Sequence, residues 1–312
     1  MRWGDFRRSE NVEDRQGEGG PSLGSGGLRV GRGGLGIGAV FAILLISWVF
    51  GIDPRLLLEG ADVLNGGGPS SEATYPGLPQ VGSTSANQSG TPRDDAGQFV
   101  AAVLGDTEDR WTEIFRGLGR TYEPPRLVLF SGATRSACGT AQSAMGPFYC
   151  PNDERVYLDT GFFREIETRL GGCKIGSKTC QFSEAYVIAH EVGHHVQDQL
   201  GILGKASELQ RGVGRADANQ IQVRVELQAD CFAGLWANRS QAKLKFLEEG
   251  DVDAALQTAS AIGDDTLQRR SQSYVVPDAF THGSSAQRKR WFAAGLRSGR
   301  IESCDTFSAA QP

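Results

Sequence analysis

The chain is short of positive charge, of cysteine and, above all, of histidine. Lysine and arginine number 32 against 37 acids, a formal charge of −5, so a general nucleic-acid-binding role has no electrostatic support. Six cysteines in 312 residues do not make a disulfide scaffold, and a chain this long can bury a core without them. With no C-x-x-C pair, a cysteine zinc ribbon or a thioredoxin-type site has no basis. No internal repeat is present. Four histidines occur in all, and three fall within six residues, in His190-Glu191-Val192-Gly193-His194-His195.

Charge is also missing locally. Between Arg32 and Asp53 no residue is charged, and the centre reads LGIGAVFAILLISWVF. About 20 apolar residues of helix cross about 30 Å of hydrocarbon, so 33–52 is expected to be a transmembrane anchor. A buried soluble helix fits poorly because the run is apolar on every face. A cleavable signal peptide would be shorter and end in a small-x-small site, whereas Trp48, Phe50, Asp53 and Pro54 stand here. Arg2, Arg7, Arg8, Arg15, Arg29 and Arg32 precede the run and only Arg55 follows closely. The positive-inside rule then makes 1–32 a cytoplasmic basic tail and puts the rest in the periplasm or outside the cell, as a single-pass membrane protein. From 53 to 93 the sequence is dominated by Gly, Ser, Thr and Pro beyond Asn65, which reads as a flexible linker.

Residues 94–312 have globular composition. Residues 95–118 show helical spacing of apolar residues, interrupted near Gly105. RLVLF (126–130) predicts a strand, and FYC with VYLD (148–159) a hairpin. Helices are expected at about 161–170, 183–200, 215–239, 251–262 and 284–298. The fold class is α+β, mostly helical with a small sheet.

In AYVIAHEVGHHV, Ser183 is a plausible N-cap and Gly201 a C-cap. His190 and His194 are four apart on one helical face, a spacing that lets both imidazoles reach one ion at about 2.0–2.1 Å. Glu191 is rotated away from that vector and suits a general base. His195 points elsewhere and is assigned to packing or surface. A catalytic zinc takes a third protein ligand. One candidate is His282; the other lies in VRVELQADCFAGLW, where Glu226 and Asp230 are four apart on an apolar helix and need a cation or donor partner. Glu226 would serve as ligand and Asp230 would hold the far nitrogen of a ligating histidine. Gly234 would let another helix come close.

HEVGH followed some thirty residues later by E-x-x-x-D looks like the gluzincin class of zinc peptidases. MRWGDFRRSENVEDR, GPFYCP, AYVIAHEVGHHVQ, ELQADCFAGLW and VPDAFTHGSSAQR together resemble the bacterial neutral zinc metallopeptidase family over nearly the whole chain. The resemblance implies a membrane-anchored zincin-like domain with His190, His194 and Glu226 as Zn2+ ligands, Glu191 as base and Asp230 behind them. GGCKIGSKTC (171–180) looks like an insertion relative to that pattern. THGSSAQR is similar to a segment following the zinc helices of membrane-associated gluzincins; His282 or Tyr274 would donate to the oxyanion and Arg288 would pair with Asp230 or another acid, with capping or packing roles equally open for each.

The expected activity is therefore hydrolysis of peptide bonds in a peptide or protein substrate, by a zinc-bound water that Glu191 activates. Two other readings share the site: a zinc-stabilised binding or assembly domain that cleaves nothing, and an amidase acting on cell-wall peptides. Among fifteen pairings of six cysteines, local sequence favours Cys138–Cys150 and Cys173–Cys180, which leaves Cys231–Cys304.

Overall fold

A computed structural model describes residues 1–17, 92, 94–170, 173, 179–272 and 274–312. The expected anchor (33–52) and nearly all of the expected linker (53–93) lie outside the described residues, as does most of the 171–180 segment. Among the described residues no helix is long and apolar enough to cross a membrane.

Strand β1 (Val12–Asp14) comes first, then helix α1 (Asp95–Gly117), β2 (Arg126–Phe130), β3 (Ala133–Ser136), β4 (Gly139–Gln142), β5 (Phe148–Cys150) and β6 (Arg155–Asp159). Thereafter the chain is helical: α2 (Gly161–Glu165), α3 (Cys180–Gln199), α4 (Ile202–Arg211), α5 (Arg215–Leu244), α6 (Asp251–Ala261), α7 (Asp264–Gln272) and α8 (Ser285–Ser298). The class is α+β, mostly helical with small sheets. The larger sheet has the order β1-β2-β6-β5, and β3 pairs with β4 in a separate ribbon. β1 and β2 are parallel, with Val12 opposite Leu127, as are β2 and β6. β5 runs antiparallel to β6 with Phe148 opposite Tyr157, the expected hairpin.

Residues before 18 and after 91 form one compact body. This differs from the reading of 1–32 as a tail apart from a domain that begins at 94. A segment held away from that domain cannot pair in register with one of its strands. Met1, Phe6 and Val12 are in the main core, and β1 is an edge of the main sheet. α1 runs unbroken through Gly105, where an interruption was expected. That glycine answers a close approach instead: a Cβ there would stand 2.3 Å from the Arg7 carbonyl oxygen.

Aromatic side chains fill the helical half. Trp111, Trp236, Phe182, Phe232, Phe246 and Phe292 are fully buried, at about 1.5–3 kcal/mol for each large apolar side chain withdrawn from water. α5 and α8 pack most closely, and a Cβ on Gly234 would lie 2.1 Å from the Phe292 carbonyl oxygen, so the expected close helix contact is present. α3 starts at Cys180 with Thr179 as N-cap residue; Ser183, expected to cap it, is buried inside the helix. Gly201 follows the last turn in the left-handed conformation, φ 75°, which only glycine adopts without cost. All three expected disulfides are present: Cys138–Cys150, Cys173–Cys180 and Cys231–Cys304.

Candidate metal centre

α3 and α5 meet where Gly193 faces Ala229; a Cβ on Gly193 would lie 3.2 Å from the Ala229 Cα. This close packing brings one turn of each helix together. The Nε2 atoms of His190 and His194 lie 3.3 and 3.6 Å from the same Glu226 oxygen, Oε2. One ligand atom from each of the three residues falls within 4.8 Å of the others. A tetrahedral ion with bonds of about 2.0–2.1 Å needs ligand separations of about 3.3 Å, so the donor set fits zinc. It is also the ligand count of a catalytic site, which keeps one position open.

The fit extends to the electrostatics. Burial alone would push the Glu226 carboxyl up, but His194 and His190 hold it well below the usual range. Burial alone would push His190 down, yet Asp230 and Glu226 raise it to about 10. Two imidazoles against buried carboxylates thus call for positive charge at their centre. A proton supplies it in the absence of metal; a divalent cation supplies more.

Behind the donors stands a closed network. His190 Nδ1 is 2.9 Å from Asp230 Oδ1, and Tyr186 donates its hydroxyl hydrogen to the same oxygen at 2.5 Å. Arg288 donates from Nε to Asp230 Oδ2 and from a terminal nitrogen to Oδ1, both at 2.9 Å. Against the cost of burial, Arg288 and His190 hold the Asp230 carboxyl at about 2. Of the partners the sequence left open for Arg288, Asp230 is the one it takes. Gln197 was not anticipated. Its Oε1 lies 2.9 Å from His194 Nδ1, while its amide donates to the Val225 carbonyl and to Gln228. The signal was available, since Gln197 sits three residues after His194 on the same helix.

A cleft of about 530 Å³ opens over the three donors. Glu191 lines it, is 8 % exposed and has a side chain with no hydrogen bond or ion pair among the described residues. His282 lines it too, with Nδ1 3.2 Å from Asp264 Oδ1. The other Asp264 oxygen accepts the backbone N–H groups of Thr281, His282 and Gly283. Asp264, also missed from the sequence, therefore fixes both the loop and the ring. His282 takes no place in the cluster of three, whose third member is Glu226. Tyr274 is 62 % exposed and does not line the cleft, so it is not placed to donate to a reacting oxygen.

One wall of the cleft is the edge strand β5 with its approach, Met145 to Tyr149. His195 secures it from behind. Its ring is buried, packs edge-on against Tyr122 and Tyr149, and donates from Nε2 to the Glu123 carbonyl at 2.7 Å. Nδ1 lies 3.2 Å from the Tyr149 hydroxyl, which donates to Asp198 at 2.8 Å. The third clustered histidine has the packing role expected of it.

The chain is similar to known proteins over much or all of its length. "Uncharacterized protein YpfJ" of Escherichia coli strain K12 is 44 % identical over 308 residues, which cover 98 % of this chain and 99 % of that protein. "Uncharacterized protein Rv2575" of Mycobacterium tuberculosis is 41 % identical over 225 residues, 69 % of this chain and 73 % of that one. No solved structure matches. The family described as "Putative neutral zinc metallopeptidase" matches residues 1–307, and the chain belongs to it.

Proposed function

We propose that the protein is a zinc-dependent peptidase, built on a zincin-like domain, that cleaves peptide bonds within extended segments of protein. The observation that carries this reading is a cleft holding three metal donors from two helices beside a carboxylate, Glu191, with no structural partner among the described residues. Zinc bound by His190, His194 and Glu226 would supply Lewis acidity, acidifying a water and polarising a carbonyl. Glu191 takes one proton from the attacking water as its oxygen bonds to the carbonyl carbon. It returns that proton to the amide nitrogen as the C–N bond breaks. With Nδ1 directed to Asp264, the His282 ring has Nε2 left to donate to the oxygen of the tetrahedral intermediate. The free edge of β5 suits an extended peptide that pairs by its backbone.

A purely structural zinc needs no base and prefers four protein ligands; the cluster offers three. Three disulfides fit an oxidising compartment, and the uncharged run at 33–52 fits a membrane partner. The test uses the full chain, because the first residues belong to the folded body. Incubated with a proteome-derived peptide library, it is expected to yield cleaved peptides, and none after zinc is stripped with a chelator. Cleavage confined to muropeptides would replace the reading with an amidase, and no cleavage of either with metal bound would replace it with a binding domain.

A further inference from the structure

His190 has an ionic pair behind it, Asp230 with Arg288; His194 has a chain of neutral groups. The chain begins at Gln197, one turn along α3 on the same face. Gln197 is fully buried, and its amide nitrogen lies 2.8 Å from the Val225 carbonyl and 3.0 Å from Gln228 Oε1. Gln228, also buried, has its own amide nitrogen 2.9 Å from the Cys304 carbonyl. Cys304 in turn is bonded to Cys231. Gln228 and Cys231 stand three apart on α5, so one face of that helix grips Cys304 twice, by its carbonyl and by its sulfur. The Cys304 carbonyl also accepts the Thr306 N–H at 3.0 Å, in a turn whose covalent tie to α5 is the disulfide.

Two backbone carbonyls decide which way this chain runs, because a carbonyl oxygen only accepts. The group of Gln228 that faces Cys304 must be its NH2, which turns its oxygen towards Gln197. The group of Gln197 that faces Val225 and Gln228 must likewise be its NH2, which turns its Oε1 towards His194 Nδ1 at 2.9 Å. An acceptor at that point puts the ring proton on Nδ1 and leaves the Nε2 lone pair open. Nε2 is the atom that faces Glu226 Oε2, the side from which an ion would be held. A reversed Gln197 would drive the ring proton onto Nε2, and would set its own oxygen against two other acceptors.

We propose that Gln197 and Gln228 form a buried relay that presents His194 to the metal in one tautomer, and that the Cys231–Cys304 disulfide fixes the far end of that relay. Both glutamines are positioning residues. Cys231 and Cys304 line no part of the cleft, so retention of the metal depends on a disulfide outside the site it serves. The inference rests on His190, His194 and Glu226 being a metal centre, and stands whether or not that centre cleaves peptides.

Two quantities are read side by side on the full chain: zinc affinity, by competition with a chromophoric chelator, and the melting temperature of the metal-free protein. Gln197→Met keeps the side-chain volume and removes the acceptor behind His194. It is expected to weaken zinc binding about 10–100-fold, the usual loss when a ligating histidine is deprived of its hydrogen-bond partner. Gln228→Met and the double variant Cys231→Ala, Cys304→Ala act one step farther away and are expected to weaken it at least three-fold. The double variant Cys138→Ala, Cys150→Ala removes a disulfide outside the relay and is expected to bind zinc as the unaltered chain does. A merely structural role would lower the metal-free melting temperature and leave zinc affinity within two-fold. That result in the two glutamine variants would overturn the relay, and in the Cys231, Cys304 variant it would overturn the part given to the disulfide. If that variant does not fold, the folded zinc-loaded chain is treated with a trialkylphosphine, which converts each disulfide to two thiols and takes up oxygen from water as the phosphine oxide. Zinc is then expected to leave in step with scission of Cys231–Cys304, located by alkylation and mass mapping, and full retention after that scission would count against the disulfide's part. An unaltered chain that binds no zinc would instead end the metal-centre reading itself.

Discussion

Replacing Glu191 with glutamine is expected to lower kcat by about 10²–10⁴-fold, the usual contribution of a positioned general base, while zinc stays at one ion per chain. Glutamine keeps the shape of the side chain and gives up only the ability to accept a proton. The helix should not notice the change, because among the described residues the Glu191 side chain belongs to none of the bonded networks around the site. Elemental analysis of the purified variant, set beside its turnover of a quenched-fluorescence peptide, separates the two effects. Glu226→Gln supplies the contrast: a neutral amide replaces the one anionic donor facing two imidazoles, so metal and activity should fall together. Retained activity in the Glu191 variant would end the proposed mechanism, and loss of its metal would make Glu191 a ligand.

The donors were readable because both helices carry a conflict that only a cation resolves. His190 and His194 sit among the buried Val187, Ile188 and Val196, and Glu226 and Asp230 among the buried Val223, Val225, Leu227 and Phe232. Polar groups spaced four apart on an apolar helix state their own need for a partner. Arg288 was harder, since no spacing links a residue in α8 to Asp230 across 58 positions. Asp264 was hidden differently: it lies in α7, a short polar helix whose one large apolar residue is Leu267. β3 and β4 are largely exposed and offer no alternation. The most consequential omission was β1. Three residues, Val-Glu-Asp, carry no strand signal, and their surroundings are rich in charge and glycine. Only the partner strand, more than a hundred residues away, makes them a strand. The lone sign in the sequence was Gly105, which was read as a break in the helix when it marks what crosses it.

Gly105 also gives the docked N-terminal segment a test of sign. In a helix interior, alanine is more stable than glycine by about 0.5–1 kcal/mol. Here the added methyl would stand 2.3 Å from the Arg7 carbonyl, and overpacking of this kind costs about 1–3 kcal/mol. Gly105→Ala is therefore expected to destabilise the full chain. Deleting residues 1–15 should cost more, about 3–5 kcal/mol: Met1, Phe6 and Val12 leave the core, each worth about 1.5–3 kcal/mol, against the ordering entropy that the deletion returns. For a body of this size that is a fall in Tm of about 10 °C, measurable by scanning calorimetry with zinc saturated. In the deleted chain nothing crosses Gly105, so the same alanine should then stabilise by about 0.5–1 kcal/mol. The change of sign between the two backgrounds is the coupling between α1 and the segment that lies across it. If alanine stabilises the full chain as well, residues 7–9 do not lie over α1.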